Sequence, residues 1–522
     1  MKNVTVIGAG VGGIAAAARL AKNDYNVTVL EKNDAPGGRC GRLESDGHRF
    51  DTGATMVLMP EFFEAAFEDL GERMEDHLDM VRVDPTYGLH FGDGTYLELT
   101  SDSERMREQL EAIEPGSFDG FMRYIEDGKR NYSLGIPRFM KKEYRSMLGF
   151  LSPSNLVTLA RIKALRNQYR SASRYFKDER LRTAFTFQNL YMGLSPYAAP
   201  ATYSLIQYSE FVDGVRYPKG GIYSVVEALT TIAEKWGARF VYNAPVARID
   251  VKGHRATGVT LEDGRKMVAD VVLANADLSY VYDRLLPQDR YSRRIRRRKL
   301  GCSTVTFLWG MDERFPQFGT HNLFFAKDIR GGYAPLFDGR GLPEDPHFYV
   351  HSPTSVDPSM APPGRDTLMV AIPSAHMGGG RDQDWDSMRD RARASVIRRL
   401  EEFGLDGIER HIRSETVITP KVWERRYNLV KGSTHGLNHQ VTQMSYMRPH
   451  NRHARYRNLY FVGASTHPGT GLPNVLMSAR FASERIMKDH GDSSFADSRA
   501  STSRLESPIS GAIFLNTAEA LR

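Results

Sequence analysis

The sequence predicts an α/β chain in which a doubly wound nucleotide-binding domain is interleaved with a discontinuous α+β domain. Three observations lead there. A strand, a glycine turn and a helix fill the first 22 residues, strand and helix patterns return between Tyr217 and Asn275, and a second strand–glycine turn–helix lies between Asn458 and Met487. The two long stretches between these pieces carry little nucleotide-binding character. At 522 residues the chain is also too long for one ordinary core.

The opening element is Val4-Thr5-Val6-Ile7, a short apolar run that reads as a buried strand. Gly8-Ala9-Gly10-Val11-Gly12-Gly13 follows as a turn, and Ile14 to Lys22 as an Ala-rich helix. In this Rossmann-like pattern Gly8 allows the tight turn, Gly10 removes a side chain where a pyrophosphate approaches, and Gly13 lets the helix pack on the strand. The helix N-terminus offers free N–H groups to the anion. A second strand, Asn26 to Leu30, ends at Glu31, where a carboxylate accepts hydrogen bonds from an unphosphorylated ribose. Lys32 beside it joins the candidate cofactor residues. The segment Asn33-Asp34-Ala35-Pro36-Gly37-Gly38-Arg39 adds two glycines and a planar fork of donors suited to a diphosphate.

Next in order, Glu61 to Leu70 reads as an amphipathic helix, and Met80 to Leu99 as strands around the turn Gly92-Asp93-Gly94. Glu104 to Ile113 and Phe118 to Arg130 read as helices, with Asp102 or Ser103 capping the first. Residues 100 to 210 are expected to be mostly helical. Between Lys129 and Arg182 stand fourteen Lys and Arg against three acids, a larger local excess than the whole chain's net charge of +7. Leu156, Leu159, Ile162 and Leu165 recur there at helical spacing among Arg161, Lys163 and Arg166. A basic, apolar stretch of this kind either docks on an anionic bilayer or packs an apolar stripe on the core with a solvated opposite face. No nucleic-acid motif accompanies it, so nucleic acid is not an expected partner.

Tyr217-Pro218-Lys219-Gly220-Gly221 turns the chain back, and Val225 to Trp236 reads as a helix. Four runs between Phe240 and Asn275 then read as strands completing a mixed sheet. The basic run Arg293 to Lys299 is expected to be solvated. Ser303 to Trp309 opens a second block that reaches roughly Arg425 and includes a charged helix from Trp385 to Phe403. Asn458 to Phe461, the turn from Gly463 to Pro473 and a helix from Asn474 to Met487 close the ordered chain. The resulting domains are 1–98, 218–300 and 440–490 for the cofactor, 99–217 and 301–439 for substrate and membrane, and a disordered tail at 491–522 rich in Ser, Asp and Ala.

Composition narrows the class. Apolar content of 41% and charge of 25% are ordinary for a globular protein. Cys40 and Cys302, the two cysteines, lack ligand-like spacing, which speaks against a disulfide framework or zinc site. The first strand begins at Val4, and no apolar run approaches the roughly 18 to 20 residues that span a bilayer. A cytoplasmic protein, soluble or peripheral on a membrane, is the expectation.

Several motifs together resemble the bacterial and fungal-type phytoene desaturases, FAD-dependent carotene desaturases of the amine oxidase superfamily. They are Gly37-Gly38-Arg39, Phe50-Asp51-Thr52-Gly53-Ala54-Thr55, Thr202-Tyr203-Ser204-Leu205, Tyr217-Pro218-Lys219-Gly220-Gly221, Ala274-Asn275-Ala276-Asp277, Arg448-Pro449-His450-Asn451 and Gly463 to Pro473. The resemblance runs from Val4 to about Lys488. It implies FAD as cofactor, with Gly38 and Arg39 along the pyrophosphate, Gly53, Ala54 and Thr55 close to the flavin, and the backbone of Val246 passing the adenine. Gly463, Gly471, Leu472 and Pro473 would hold the ring end, where a helix N-terminus favours negative charge. It implies successive dehydrogenation of a linear, lipophilic carotene by hydride transfer to the flavin and proton loss from the neighbouring carbon. Self-association is left open. No acid or base is assigned: His48, Arg49 and Asp51 lie near the flavin-side turn, His467 either orients the flavin or caps its turn, and Ser146 stands where some bacterial relatives carry an Asp. The alternatives are a related carotenoid oxidoreductase, an amine oxidase, or a non-catalytic prenyl carrier resembling GDP-dissociation inhibitor.

Overall fold

The computed structural model describes residues 1–378 and 383–491, so the tail expected to be disordered lies, from residue 492 onward, outside the described residues. Five parallel strands form the first sheet, in the order Leu459–Phe461, Val271–Ala274, Asn3–Ile7, Asn26–Leu30 and Arg239–Val241. Strands from the beginning, middle and end of the chain thus share one sheet. Their side chains are buried apart from the exposed leading residues and the less covered edge strand, as the unbroken apolar runs require of a parallel sheet covered on both faces.

Helices Val11–Lys22, Tyr223–Lys235 and Leu472–His490 cover this sheet, and the first packs against both of the others. The first helix starts at Val11, before the expected Ile14, because Gly12 and Gly13 belong to its opening turn and Ile14 N–H donates to Gly10 C=O at 3.0 Å. A Cβ on Gly13 would stand 2.3 Å from the Gly8 carbonyl, so no other residue allows this approach. Gly8 has φ +97°, the left-handed region in which its turn is unstrained only for glycine.

The strands between Phe240 and Asn275 do not complete one mixed sheet. Val246–Lys252, Arg255–Leu261 and Lys266–Val268 form a separate antiparallel sheet, joined through the Asp263-Gly264 turn. Arg255–Leu261 begins with alternating exposed and buried residues and so suits a sheet with one wet face. A third sheet has seven strands, in the order Ile412–Ile418, Ser303–Met311, Thr367–Ser374, Phe348–His351, His321–Phe324, Tyr87–His90 and Tyr96–Leu99. The hairpin at 87–99, grouped by sequence with the cofactor segments, forms the edge of this sheet: Gly88 to His90 pair in parallel with Asn322 to Phe324. Local alternation announces a hairpin but not the sheet it joins.

The helical insertion is as expected between 100 and 210, with Ser103–Ile113, Ser117–Gly135 and Ser204–Val212 among its helices. Asp102 caps the first, accepting from the N–H groups of Glu104 and Arg105 at 3.0 and 3.1 Å. The stripe from Leu156 to Leu165 is not one helix. Helix Pro153–Arg161 ends there, and Lys163 has φ +54°.

Candidate functional site

The two distant glycine turns open onto one cavity of about 530 Å³. Gly8, Gly10, Glu31, Lys32, Gly38, Arg39, Gly53, Ala54, Thr55, Val246, Gly463, Gly471, Leu472 and Pro473 all line it. Gly13 does not, since its task is the helix–strand approach.

At one end, Glu31 is buried, and each of its carboxylate oxygens is already engaged. Oε2 accepts from Ala9 N–H at 2.8 Å and Oε1 from the backbone and side-chain amides of Asn33, both at 2.9 Å. Oε1 already accepts two donors, whereas Oε2, with one, retains a lone pair for a ribose hydroxyl. The acid therefore also ties the second strand to the glycine turn. Lys32 is drawn away by Arg425 C=O at 2.8 Å and Asn428 Oδ1 at 2.9 Å.

Beside the turn, Gly37 N–H donates to Ala9 C=O at 2.7 Å, which brings Gly38 and Arg39 alongside it. Arg39 gives one donor to Thr434 C=O at 2.7 Å and forms no ion pair among the described residues. Burial pulls its guanidinium below the ordinary value, with Asp277 opposing, yet an arginine stays charged. A largely unspent cation thus faces the cavity next to the glycine turn. A Cβ on Gly53 would fall 2.0 Å from Arg39 C=O, so this second turn is packed directly under the first.

At the other end, helix Leu472–His490 directs its first turn at the cavity, where N–H groups lack intrahelical partners. Buried Arg448 holds the preceding loop. Its guanidinium donates to the carbonyls of Leu437, Asn438, Gln443, Ala464 and Thr466. Asn451 donates to Phe461 C=O at 3.1 Å and Ser478 Oγ at 2.9 Å. Asn275, at the end of strand Val271–Ala274, does the same for the first turn, reaching Gly8 C=O at 3.1 Å and Gly10 C=O at 3.4 Å. In the sequence these residues stand only as motif positions without a role, because their partners lie far away along the chain.

The acid–base candidates fall elsewhere. Asp51 is buried away from the cavity and accepts from Tyr217 OH at 3.0 Å, Ile222 N–H at 3.1 Å and Tyr223 N–H at 3.3 Å. Burial raises it to about 6, and its position caps helix Tyr223–Lys235. His48 bonds Thr367 Oγ1 at 2.9 Å, Arg49 is exposed, and Ser146 is an exposed cap of helix Met147–Phe150. His467 lies 3.2 Å from Lys142 C=O and is lowered by burial to about 4; this neutral donor ties the insertion to the C-terminal turn. None of these residues lines the cavity.

The remaining wall is aromatic and aliphatic, with Leu58, Phe187, Leu190, Leu323, Phe325 and Met369. Thr55 Oγ1 meets Tyr349 OH at 2.9 Å, and Tyr349 OH meets His321 Nδ1 at 2.6 Å. Cys302 and His435, 3.7 Å apart from Sγ to Nδ1, also reach the surface of the cavity.

Residues 11–487 match the model of the flavin containing amine oxidoreductase family. The chain belongs to that family. It is an FAD-dependent oxidoreductase. The zeta-carotene-forming phytoene desaturase of Myxococcus xanthus is 43% identical over 93% of this chain and 94% of its own. The phytoene desaturase of Phycomyces blakesleeanus is 41% identical over 94% of this chain and 86% of its own. A solved putrescine oxidase shares the fold, with a TM-score of 0.63 at 16% identity, covering 94% of this chain and 99% of its own. Among the described residues no helix is long and apolar enough to cross a membrane, and no cluster of side chains is suited to a metal ion.

Proposed function

We propose that this chain is a carotenoid desaturase that dehydrogenates phytoene in successive steps toward lycopene or a similar product. The observation that carries the reading is the cavity shared by both glycine turns, polar and glycine-rich at its two cofactor corners and apolar elsewhere, in a chain 43% identical to a named phytoene desaturase. Glu31 would take the ribose, Gly10, Gly38 and Arg39 the diphosphate, Val246 the adenine side, and Gly463 with Gly471 to Pro473 the flavin ring. Bound there, FAD accepts the hydride given up with each new double bond. The chain's own work is to exclude water, align a hydrocarbon with no ionisable handle, and place positive potential from Arg39 and the helix N-terminus where charge gathers.

We infer that the insertion between Pro137 and Arg166 rests peripherally on a membrane. Helix Pro153–Arg161 buries the polar Asn155 and Thr158 and exposes Leu156 and Val157, the reverse of a core-facing stripe. Leu148 and Leu165 are 87% and 86% exposed, with Lys142, Arg145, Arg161 and Arg166 exposed nearby. Apolar side chains ringed by cations suit an anionic bilayer, which is also where a carotene dissolves.

The test is to express the chain in cells that accumulate phytoene and make nothing beyond it. Coloured carotenes of forty carbons are expected. Unchanged phytoene in cells that contain yellow, soluble protein would overturn the assignment.

A further inference from the structure

One buried acid beside the cavity has no part in the cofactor site. Glu210, on helix Ser204–Val212, is 4% exposed, and no cation pairs with it among the described residues. Its Oε1 accepts from Tyr191 OH at 3.0 Å and its Oε2 from Gln188 Nε2 at 3.0 Å. Tyr191 in turn touches Tyr87 OH, and Tyr87 OH lies 3.4 Å from Met56 Sδ. Tyr87, Tyr191 and Met56 line the cavity while Glu210 does not, and Met56 directly follows the turn Gly53-Ala54-Thr55. Behind Glu210 the polar chain continues inward from Gln188 to Gln207, whose amide donates to Gln188 Oε1 at 2.8 Å. A carboxyl group in such a setting is costly to keep, and the hydrogen bond from Tyr191 alone would be served by a neutral amide.

Resting on the desaturase reading, we propose that Tyr191 and Glu210 form a proton relay that takes up the proton lost in each desaturation. With FAD bound as the hydride acceptor, hydride loss from the substrate would leave an electron-poor carbon. The C–H bond on its neighbour then breaks, its electron pair becoming the new C=C bond. That proton passes to Tyr191 Oη as the tyrosine's own proton moves to Glu210 Oε1. The substrate is oxidised by two electrons, FAD is reduced by two, and the carboxylate ends as a carboxylic acid. Tyr191 is the group that meets substrate; Glu210 acts through it.

The titratable groups that face Glu210 are Tyr87, Tyr124 and Tyr191, all of which burial keeps neutral. Burial also pushes Glu210 itself up to about 8, with Tyr191 and Gln188 opposing. The ionised fraction that can accept a proton therefore grows as pH rises through that value. Once protonated, the acid is stable at neutral pH.

The experiment compares wild type, Glu210→Gln and Tyr191→Phe as FAD-loaded proteins on phytoene in vesicles. In wild type, kcat should rise through about pH 8. Both variants should lose roughly 10²-fold in kcat with KM little changed, and should lose that pH limb. A second readout needs no turnover: difference infrared spectroscopy of the substrate-free protein should show a buried carboxylic C=O stretch that vanishes above about pH 8 and is missing in Glu210→Gln. If Glu210→Gln does not fold, Tyr191→Phe carries the kinetic test and the wild-type infrared titration carries the other. Variants with wild-type kcat and pH profile overturn the relay while leaving the desaturase intact. A carboxyl band that does not titrate between about pH 6 and 10 overturns it even if phytoene proves not to be the substrate.

Discussion

A Cβ on Gly10 would stand 2.9 Å from Asn275 Nδ2, on the surface where the diphosphate is expected. Gly10→Val should therefore yield colourless protein, and absorbance of the purified variant checks this; normal flavin content would refute the placement. Asn275→Ala leaves the Gly8 and Gly10 carbonyls without their amide and should cost about 1–3 kcal/mol in stability, read from denaturant unfolding. Glu210 gives a prediction of a different kind. Its value of about 8, against an ordinary 4.5, means that the native state holds the proton more tightly than the unfolded chain does. Stability is then lost as pH rises between those values. Glu210→Gln escapes that loss, so its thermal midpoint should gain on wild type as pH rises and the gain should shrink toward about pH 4.5; a gap that ignores pH would contradict the burial argument. At this scale the sequence told much about the cofactor corners, because Gly8, Gly10 and Glu31 answer to local strand–turn–helix rules. It told little about Asn275, Arg448 or Glu210, whose roles depend on partners brought close only by the fold.

Among the elements, helix Pro153–Arg161 departs most from expectation. Periodicity alone could not say which face is buried, and here the polar face is: Asn155 donates to Tyr144 OH at 2.8 Å and Phe150 C=O at 2.9 Å, leaving Leu156 and Val157 outside. Leu148→Ser with Leu165→Ser should weaken co-sedimentation with anionic vesicles by roughly 10²-fold or more, since each fully buried leucine is worth about 1.5–3 kcal/mol. The thermal midpoint should not move, because both side chains already face solvent. Vesicle binding by wild type should also fall with added salt; binding indifferent to salt would remove the role of the cations. The hairpin at 87–99 and the antiparallel sheet at 246–268 teach the same lesson. Their strands were legible, whereas their sheet partners, set by pairing over long sequence separations, were not.

For the molecule as a whole, the decisive contact is between the first and last helices. Buried Arg19 donates to Ser483 Oγ at 2.8 Å and pairs with Asp69, while Arg480 lies 3.7 Å from Asp69 and 2.8 Å from Glu484. Asp69→Ala would leave Arg19 buried without its main counter-charge and should cost about 3–5 kcal/mol, with loss of FAD accompanying the lower thermal midpoint. This clasp joins the two helices whose opening turns form the cofactor corners, and the proposed chemistry depends on those corners sharing one flavin. The most direct measurement is an anaerobic mixture of the yellow protein with phytoene in vesicles, followed by absorbance and by analysis of the carotenes. Flavin bleaching in step with an equal amount of a more unsaturated carotene is the expected result. A flavin that stays oxidised beside unchanged phytoene would contradict the account.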